Sequence, residues 1–578
     1  MSGPTRAAQG GLIDRSRNIR FRFDGQAFEG HPGDTLASAL LANGVSLMGR
    51  SFKYHRPRGL LAAGVEEPNA LVGVGAGGRF EPNTRASDLF LYDGLEAASQ
   101  NRWPSLAFDL GAANGLIARF IPAGFYYKTF IGPPWLWKLY EHAIRVAAGL
   151  GRPPSEPEVD AFEHRAAFCD VLVVGAGPGG LAAALAAAGA GARVILAEQD
   201  ARLGGSLLSS TAGLDGRPAA DWIAGAEAQL KALGARVLKR TTAMGYYDHN
   251  QLSLIERRVE AGQPPGAGGL AQRLWRVRAG RVILAQGAIE RPTLFSDNDR
   301  PGVMLASAVE TYVRRYGVLP GRRAVIAANN DAAYATAFAL ADAGGEVAAI
   351  LDSRPATGGA IVQAARERFP VHLDAHLVAA NGRMRVTGAE ALVAGRAAAF
   401  DADLIAVSGG FTPVVHLHMQ AGGTLDWNEA AGAFTPAIAR QGQVSVGACA
   451  GIEGLAAATE HGWQAGAAAA TAPSTTSWSP SPAPLRYARE EKLVSSPVSR
   501  SDTGEGDRHA QRGGGGGAPH AQAPFDGPHH TQADFAPASG VKLKTAFVDP
   551  QNDVTAADLD LAWRGCRPTR PGPCPRSA

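Results

Sequence analysis

The stretch Asp170–Ser206, DVLVVGAGPGGLAAALAAAGAGARVILAEQDARLGGS, decides the fold of this chain. The apolar run Val171–Val174 predicts a buried parallel strand, and an alanine-rich helix and a second strand, Arg193–Ala197, follow the glycine-rich turn. Strand, GxGxxG-type turn, helix, second strand and terminal acid fall in the order of a dinucleotide-binding βαβ unit. The stretch therefore predicts an α/β fold built around a bound dinucleotide.

The glycines, the helix N-terminus and the terminal acid of the motif each have a physical role in that interpretation. Gly175 allows the tight turn, Gly177 lets the backbone approach a pyrophosphate, and Gly180 lets the helix pack close to the strand. The helix N-terminus adds N–H groups and a partial positive charge for the phosphates. Glu198 would accept ribose hydroxyls and repel a 2′-phosphate, which favours NAD or FAD over NADP. The pair Gly204-Gly205 favours this interpretation over an ordinary buried βαβ unit, because it suits a second close approach.

Composition excludes several classes of protein. The 578 residues carry a net charge of +3, which gives no reason to expect a nucleic-acid partner. The four cysteines (Cys169, Cys449, Cys566 and Cys574) form no CxxC pair. This argues against a disulfide framework, a cysteine-ligated metal site and a redox-active cysteine pair. Without a signal-peptide core or a long uninterrupted apolar run, we expect a cytoplasmic protein with no membrane partner.

The N-terminal region predicts a ferredoxin-like domain without its cluster. A strand at Ile19–Phe23, a turn at Asp24-Gly25 and a helix at Thr35–Asn43 resemble the start of a plant-type [2Fe–2S] ferredoxin domain. The following loop, Ser51–Val72, contains none of the cysteines that would ligate a cluster. Its two arginines, at positions 56 and 58, are either solvated surface charges or interface groups.

A second βαβ unit begins near residue 323. Its strand is predicted at Ala324–Ala327, its helix at Ala332–Ala343 and its next strand at Glu346–Leu351. The glycine positions hold Ala327, Asn329 and Ala332, and side chains there would obstruct a pyrophosphate. We expect a Rossmann-like domain that no longer binds a nucleotide.

The chain then returns to the first nucleotide unit. The strand Val444–Val446 leads into the turn Gly447–Gly451 and a helix from Leu455. In glutathione-reductase-like folds this junction lies near the pyrophosphate, and in FAD enzymes an aspartate there bonds the ribitol. No aspartate is present in this turn, which weakens FAD and favours NAD. Earlier, Gln286 replaces the usual threonine of the ATG-type strand-to-loop motif.

These patterns predict a glutathione-reductase-like two-dinucleotide-domain fold with an N-terminal cysteine-free ferredoxin-like domain. The predicted organisation is a ferredoxin-like domain at 1–97, an aromatic-rich connecting segment at 98–165, a dinucleotide domain at 166–290 and 400–472, an inserted Rossmann-like domain at 291–399, a flexible linker at 473–540 and a further domain remnant at 541–578. The aromatics of the connecting segment indicate core or a subunit contact. They are Trp103, Phe125, Tyr126, Tyr127, Phe130, Trp135, Trp137 and Tyr140.

Five stretches together resemble one family. They are SQNRWPSL (99–106), PAGFYYKTF (122–130), GAIERPTLFSDNDRPGVML (287–305), NNDAAYATA (329–337) and KTAFVDPQNDVTAADL (544–559). They closely resemble the alpha subunit of heterotetrameric sarcosine oxidase, and the resemblance runs over 18–485 and 542–562.

The resemblance implies an oxidoreductase complex of this chain with beta, gamma and delta subunits. The family's complex demethylates sarcosine to glycine, hydrogen peroxide and a one-carbon unit, which tetrahydrofolate captures as 5,10-methylenetetrahydrofolate. Amine oxidation takes place at FAD in the beta subunit, and electrons pass to FMN near the alpha–beta interface. The alpha subunit holds an NAD that is not turned over.

The resemblance also carries over a set of NAD-binding positions. They are Gly175, Gly177, Gly179, Gly180, Glu198, Gln199, Asp200, Gly205, Ser206, Ala243, Ala450, Leu455 and Ala457. The family often has Asp-Glu-Arg where this chain has Glu198-Gln199-Asp200, so one arginine contact to the adenine or ribose is lost. We assign no catalytic residue and no metal ligand in this chain. The isolated histidines are expected to be structural or surface groups.

The end of the chain departs from the family pattern. The sequence WRGCRPTRPGPCPRSA (563–578) contains four prolines that cannot continue a helix. We expect a truncated or frameshifted product that lacks the folate domain. The resemblance implies that residues 541–578 are a remnant of the family's folate-binding, aminomethyltransferase-like domain. Two alternatives remain open: an independent FAD-dependent amino-acid or opine dehydrogenase, and a non-catalytic product that folds without binding a nucleotide.

Overall fold

The computed structural model describes residues 5–120, 134–137, 140–141, 151–266, 268–471, 541–542, 546–549 and 554–555. The chain divides into two units, residues 1–476 with 537–578, and residues 477–536. The predicted linker at 473–540 and the aromatics Phe125, Tyr126, Tyr127 and Phe130 lie outside the described residues, as does most of the predicted remnant at 541–578.

A five-stranded sheet forms the N-terminal region and begins with the predicted hairpin. Strand β1 (Ile19–Phe23) pairs antiparallel with β2 (Gln26–Gly30), and the turn residues Asp24 and Gly25 have φ values of 51° and 79°. A capping box at Thr35 starts helix α1, Leu36–Ala42. The other strands are β3 (Gly49–Arg50), β4 (Pro57–Arg58), β5 (Leu71–Val74), β6 (Glu81–Arg85) and β7 (Leu95–Ser99). The sheet order is β2-β1-β7-β5-β6, and β3 pairs with β4 separately.

A larger sheet is built on the strand that precedes the glycine turn. Its elements are β8 (Ala161–Val174), α2 (Pro178–Gly189), β9 (Val194–Ala197), α3 (Ala219–Ala232), β10 (Arg236–Leu238), β11 (Thr241–Tyr247), β12 (Gln251–Arg257) and β13 (Leu270–Leu284). The strand order is β10-β9-β8-β13-β12-β11. Strand β8 is parallel to both neighbours, which places the glycine turn at the carboxyl end of a central strand.

Two strands of this sheet are much longer than the sequence pattern predicts. The apolar run Val171–Val174 is the last part of the 14-residue β8, and β13 has 15 residues. The two pair with each other along almost their whole length. The first half of β8 is mostly exposed, so it lacks the apolar signal that marks the buried half.

The inserted region contains the predicted second βαβ unit. Its elements are β14 (Ala288–Glu290), β15 (Val303–Leu305), α4 (Ala306–Tyr316), β16 (Arg323–Ala328), α5 (Ala333–Asp342), β17 (Glu346–Asp352), α6 (Ala360–Arg368), β18 (Val371–His372), β19 (Ala375–Asn381), β20 (Gly388–Val393), β21 (Arg396–Asp401) and β22 (Leu404–Ser408). A parallel sheet has the order β15-β22-β16-β17-β18, and β19, β20 and β21 form an antiparallel meander.

After this insertion the chain returns to the larger sheet. The elements are β23 (Phe411–Pro413), α7 (His416–Gln420), β24 (Leu425–Asn428), β25 (Ala433–Pro436), β26 (Gln443–Ser445) and α8 (Leu455–Thr471). Strand β26 pairs parallel with the end of β13, and β23 pairs with β14. The predicted return to the first nucleotide unit is therefore present.

The N-terminal region and the inserted region share one apolar core. That core includes Leu40, Phe295 and Tyr312, each fully buried. Two further cores lie on the two faces of the larger sheet, one beneath α2 and one against β11 and β12.

Arg56 and Arg58 are not solvated surface charges. Arg56 forms ion pairs with Asp297 (2.8 Å) and Asp299 (2.6 Å), and the buried Arg58 also pairs with Asp299. Both guanidinium groups lie over the ring of the buried Phe547, at 4.9 and 5.0 Å from its centroid. Of the two roles left open, the structure supports an interface role within this chain.

Phe547 begins a short hairpin of β27 (Phe547–Asp549) and β28 (Val554–Thr555). Asn298 binds the backbone of Phe547 twice, accepting its N–H and donating to its carbonyl, each at 2.8 Å. We call the group of Arg56, Arg58, Asp297, Asp299 and Phe547 the arginine clamp. It joins the N-terminal region, the inserted region and the segment after residue 540.

None of the helices in the described part of the chain is long and apolar enough to cross a membrane. The same residues contain no group of three or more His, Cys, Asp or Glu side chains placed to hold a metal ion.

Candidate dinucleotide site

The glycine turn between β8 and α2 is closed on one side and open on the other. At Gly175 φ is +99°, and an added Cβ would lie 2.4 Å from the carbonyl oxygen of Ala285. A Cβ at Gly180 would lie 1.9 Å from the carbonyl oxygen of Gly175. At Gly177, by contrast, an added Cβ would meet nothing within 4 Å. Gly175 and Gly180 therefore permit close packing, and Gly177 faces open space where a pyrophosphate would lie.

A second glycine turn lies directly against the first. A Cβ at Gly205 would lie 2.9 Å from the Cα of Gly177, and Gly204 adopts φ of +122°. The N–H of Gly204 donates to the carbonyl of Ala176 at 2.9 Å. Ser206, the next residue, is exposed. This contact explains the glycine pair after β9 and brings Gly205 and Ser206 next to Gly177.

Glu198 is fixed at the end of β9 by backbone donors. Its Oε2 accepts the N–H of Ala176 at 2.7 Å, and its Oε1 accepts the N–H of Asp200 at 2.8 Å. The residue is 8% exposed, and burial raises the pKa of its carboxyl. Because a carboxylate offers about four lone-pair sites, acceptor capacity remains for ribose hydroxyls. Gln199 is exposed beside it.

Helix α8 packs on α2 through small residues, a feature that the sequence prediction missed. A Cβ at Gly462 would lie 2.0 Å from the carbonyl oxygen of Gly179, and one at Gly466 would lie 2.1 Å from that of Ala183. Gly179 itself approaches the carbonyl of Ala458. The Gly-x-x-x-Gly spacing of Gly462 and Gly466 was the available signal for this crossing. Gly179 therefore has a packing role in addition to its place in the turn.

The remaining predicted positions lie around this core of the site. Ala450 ends the short 3₁₀ turn after β26, and Leu455 starts α8 and packs against the core beneath α2. Ala457 is exposed on α8. Ala243 lies within β11, two residues after Thr241, whose N–H donates to the carbonyl of Glu198 at 2.7 Å. The glycines, Glu198 and Asp200 are joined by direct contacts. Ala243 lies on β11, Ala450 on the 3₁₀ turn and Ala457 on α8.

The return turn offers hydrogen-bonding groups but no carboxylate. Its four residues are Gly447, Ala448, Cys449 and Ala450. The buried thiol of Cys449 donates to the carbonyl of Val414 at 3.1 Å, and burial raises the pKa of this thiol to about 11. Beside Gly175, the buried Oε1 of Gln286 has no hydrogen-bond partner. The open space at Gly177 and the unpaired Gln286 oxygen would fit a bound dinucleotide. The return turn has no carboxylate to bind the ribitol of FAD.

In the second βαβ unit, the carboxylate at the end of the second strand is paired with other side chains of the protein. Asp352, at the end of β17, is fully buried and accepts from Tyr334 Oη at 2.7 Å. Arg354 also pairs with Asp352 at 2.7 Å and with Asp331 at 2.8 Å. The carboxylate at this position is thus already paired with protein groups. The loss of nucleotide binding in this unit stays a prediction.

Two family models match the chain. A model of 2Fe-2S iron-sulfur cluster binding domains matches residues 16–102, and a model of FAD dependent oxidoreductases matches residues 170–290. The first match contains no cysteine, so its residues do not fit a cluster held by thiolates. In the loop concerned, the fully buried Glu67 carboxylate accepts four backbone N–H groups at 2.6 to 3.0 Å. The donors are Leu61, Ala62, Asn69 and Ala70.

The chain is also similar to curated proteins and to a solved structure. It is 46% identical over 558 residues to sarcosine oxidase subunit alpha of Rhizobium meliloti, which covers 96% of this chain and 52% of that protein. It is 38% identical to sarcosine oxidase subunit alpha of Corynebacterium sp. (strain P-1), over 81% of this chain and 45% of that protein. The crystal structure of L-proline dehydrogenase from P. horikoshii matches with a TM-score of 0.54 and 18% identity. That match covers 81% of this chain and 75% of the other, and shows the fold.

The sheet topology, the paired glycine turns and the inserted second unit define a protein with the two-dinucleotide-domain fold of flavoproteins, preceded by a ferredoxin-like domain. The chain spans about half the length of the curated relatives described above. Along the part that it spans, it is similar to sarcosine oxidase alpha subunits over 80% to 96% of its own length.

Proposed function

We propose that this chain is the NAD-binding alpha subunit of a multi-subunit flavoenzyme that oxidatively demethylates sarcosine. The observation that carries the proposal is the 46% identity to a sarcosine oxidase alpha subunit over 96% of the chain. The products would be glycine, hydrogen peroxide and a one-carbon unit. In the family that the chain resembles, tetrahydrofolate takes up this unit as 5,10-methylenetetrahydrofolate.

The nucleotide assignment rests on this chain's own residues. Gly177 leaves room for a pyrophosphate, and the carboxylate of Glu198 is held where it can accept ribose hydroxyls. The return turn has no acid for the ribitol of FAD. We therefore assign NAD to this chain, and FAD and FMN to the complex that it forms with beta, gamma and delta subunits. FAD supplies the amine oxidation in that assembly.

In this proposal the chain binds and orients without proton transfer. We assign it no general acid, base or nucleophile. The chain would hold the nucleotide and supply a surface for the flavin-bearing subunits.

The proposal is tested by purifying the tagged chain alone and from cells that contain its partners. We expect the complex, and not the isolated chain, to convert sarcosine to glycine with equimolar hydrogen peroxide. If the isolated chain is yellow and reduces a dye with an amino acid or opine, it is an independent FAD-dependent dehydrogenase. If it purifies without partners and without a nucleotide, it is a non-catalytic product. Either of these results would overturn the proposal.

A further inference from the structure

Arg315 reaches the adenosine end of the candidate site from the inserted region. It lies near the end of α4, and its Nη1 and Nη2 donate to the two carboxylate oxygens of Asp200 at 2.6 and 2.9 Å. The Arg315 side chain is 11% exposed and that of Asp200 is 28% exposed. This bidentate geometry is the strongest form of an arginine–carboxylate contact.

Both partners of the pair are fixed by further hydrogen bonds. The N–H of Asp200 donates to Glu198 Oε1 at 2.8 Å, and Asp200 Oδ1 accepts the N–H of Arg202 at 3.1 Å. The backbone carbonyl of Arg315 accepts the N–H of Leu12. An unbroken series of contacts therefore runs from the glycine turn at Ala176 through Glu198 and Asp200 to Arg315.

The charges of this series decide which ribose it accepts. Two carboxylates and one guanidinium leave a net charge of −1. A ribose with a free 2′-hydroxyl can donate to Glu198, whereas a 2′-phosphate would bring about two more negative charges. Dinucleotide sites that accept NADP offer an arginine to that phosphate. Here Arg315 is present, but its guanidinium N–H groups already donate to Asp200.

We propose that Asp200 determines the dinucleotide specificity of this site by holding Arg315 in an ion pair and so withholding it from a 2′-phosphate. The inference rests on the proposed nucleotide site and deepens it. It also reassigns Asp200 from a direct ribose ligand to a positioning residue. Arg315 becomes a cation at this end of the site, where the family's usual arginine is replaced by Asp200. Arg240 lies nearby, and its N–H donates to the backbone carbonyl of Asp200 at 3.0 Å.

The test compares wild type with Asp200→Asn, which keeps the size and one acceptor of the side chain but removes its charge. Each protein is incubated with equimolar NAD and NADP, and the retained dinucleotides are released and quantified by mass spectrometry. We expect the NAD:NADP ratio to fall about tenfold or more in Asp200→Asn. The double variant Asp200→Asn/Arg315→Ala should recover most of the preference for NAD, because no guanidinium remains for the phosphate.

Two further variants keep the outcomes distinct. Arg315→Lys keeps the positive charge but loses the bidentate grip, so its ratio should also fall. Asp342→Ala removes an exposed partner of Arg368 in the same inserted region and should leave the ratio unchanged. A wild-type ratio in Asp200→Asn would overturn the inference. Absence of any retained dinucleotide in wild type would instead contradict the proposed nucleotide site.

Discussion

The glycines of the β8–α2 turn have different roles, and substitution separates them. Gly177→Ala places a methyl group in open space at ordinary backbone dihedrals, so we expect no loss of stability but weaker nucleotide binding by tenfold or more, as an order of magnitude. Gly180→Ala would place Cβ 1.9 Å from a backbone oxygen and should cost on the order of 1 to 3 kcal/mol. Thermal melts with and without NAD measure both effects. Gly189→Ala, where an added Cβ meets nothing, is the control. Equal behaviour of the Gly177 and Gly180 variants would contradict this assignment.

Glu67 gives the N-terminal region a pH dependence. Burial raises the pKa of its carboxyl to about 7, against the opposing effect of four backbone donors. A carboxyl whose pKa rises on folding stabilises the fold most below its unfolded value near 4.5, and this contribution is lost as the pH rises through 7. We expect the melting temperature of wild type to fall relative to that of Glu67→Gln across this window. The corresponding change in unfolding free energy is on the order of 3 kcal/mol. A difference between the two proteins that is constant from pH 4.5 to 8 would contradict this.

Local sequence was enough to predict the position of some of these residues and not of others. Glu198 could be placed because a fixed spacing from the glycine turn determines its position. Arg315 could not, because its partner lies 115 positions away and the pair forms only when α4 meets the end of β9. Likewise, nothing local shows that Glu67 accepts four backbone N–H groups, since that depends on how its loop folds back.

The crossing of α2 and α8 depends on small residues at matching positions. In Gly466→Leu the new side chain would clash with the carbonyl of Ala183. We expect the free energy of unfolding to fall by about 1 to 3 kcal/mol or more. Because α8 follows the return turn, the same change should weaken NAD binding. Ala468→Leu, on the exposed side of α8, is the matched control. Equal denaturation midpoints for the two variants would show that the crossing tolerates bulk.

Elements were predictable where a strong period or a turn residue marked them. The alternation of β1 and the turn at Asp24-Gly25 led to correct positions for the first hairpin. The helix predicted at Thr35–Asn43 is observed at Leu36–Ala42. The lengths of β8 and β13 were not predictable, because their first halves are exposed or only partly buried and are held by strand pairing.

The arginine clamp holds three distant parts of the chain together. Asp299→Ala would leave Arg58 buried without its carboxylate, which typically costs about 3 to 5 kcal/mol. Asp342→Ala, which removes an exposed ion pair, should cost less than about 1 kcal/mol. Urea denaturation followed by tryptophan fluorescence measures both. Equal losses in the two variants would contradict the role given to the clamp.

The order of the two βαβ units in the described part of the chain could be predicted, because a glycine-rich or strand-to-loop junction marks the end of a parallel strand. The association of the N-terminal region with the inserted region could not, because it depends on a shared apolar core and on ion pairs about 240 positions apart in sequence. For the same reason, the roles of Arg56 and Arg58 stayed undecided until their partners were known.

We propose that this chain holds NAD and leaves flavin chemistry to other subunits. The most direct test of this proposal is to record the visible spectrum of the purified chain, denature it and identify the released nucleotide by mass. We predict a colourless protein that releases NAD. A yellow protein that releases FAD would contradict the account, because the return turn after β26 would then bind a flavin without the expected carboxylate.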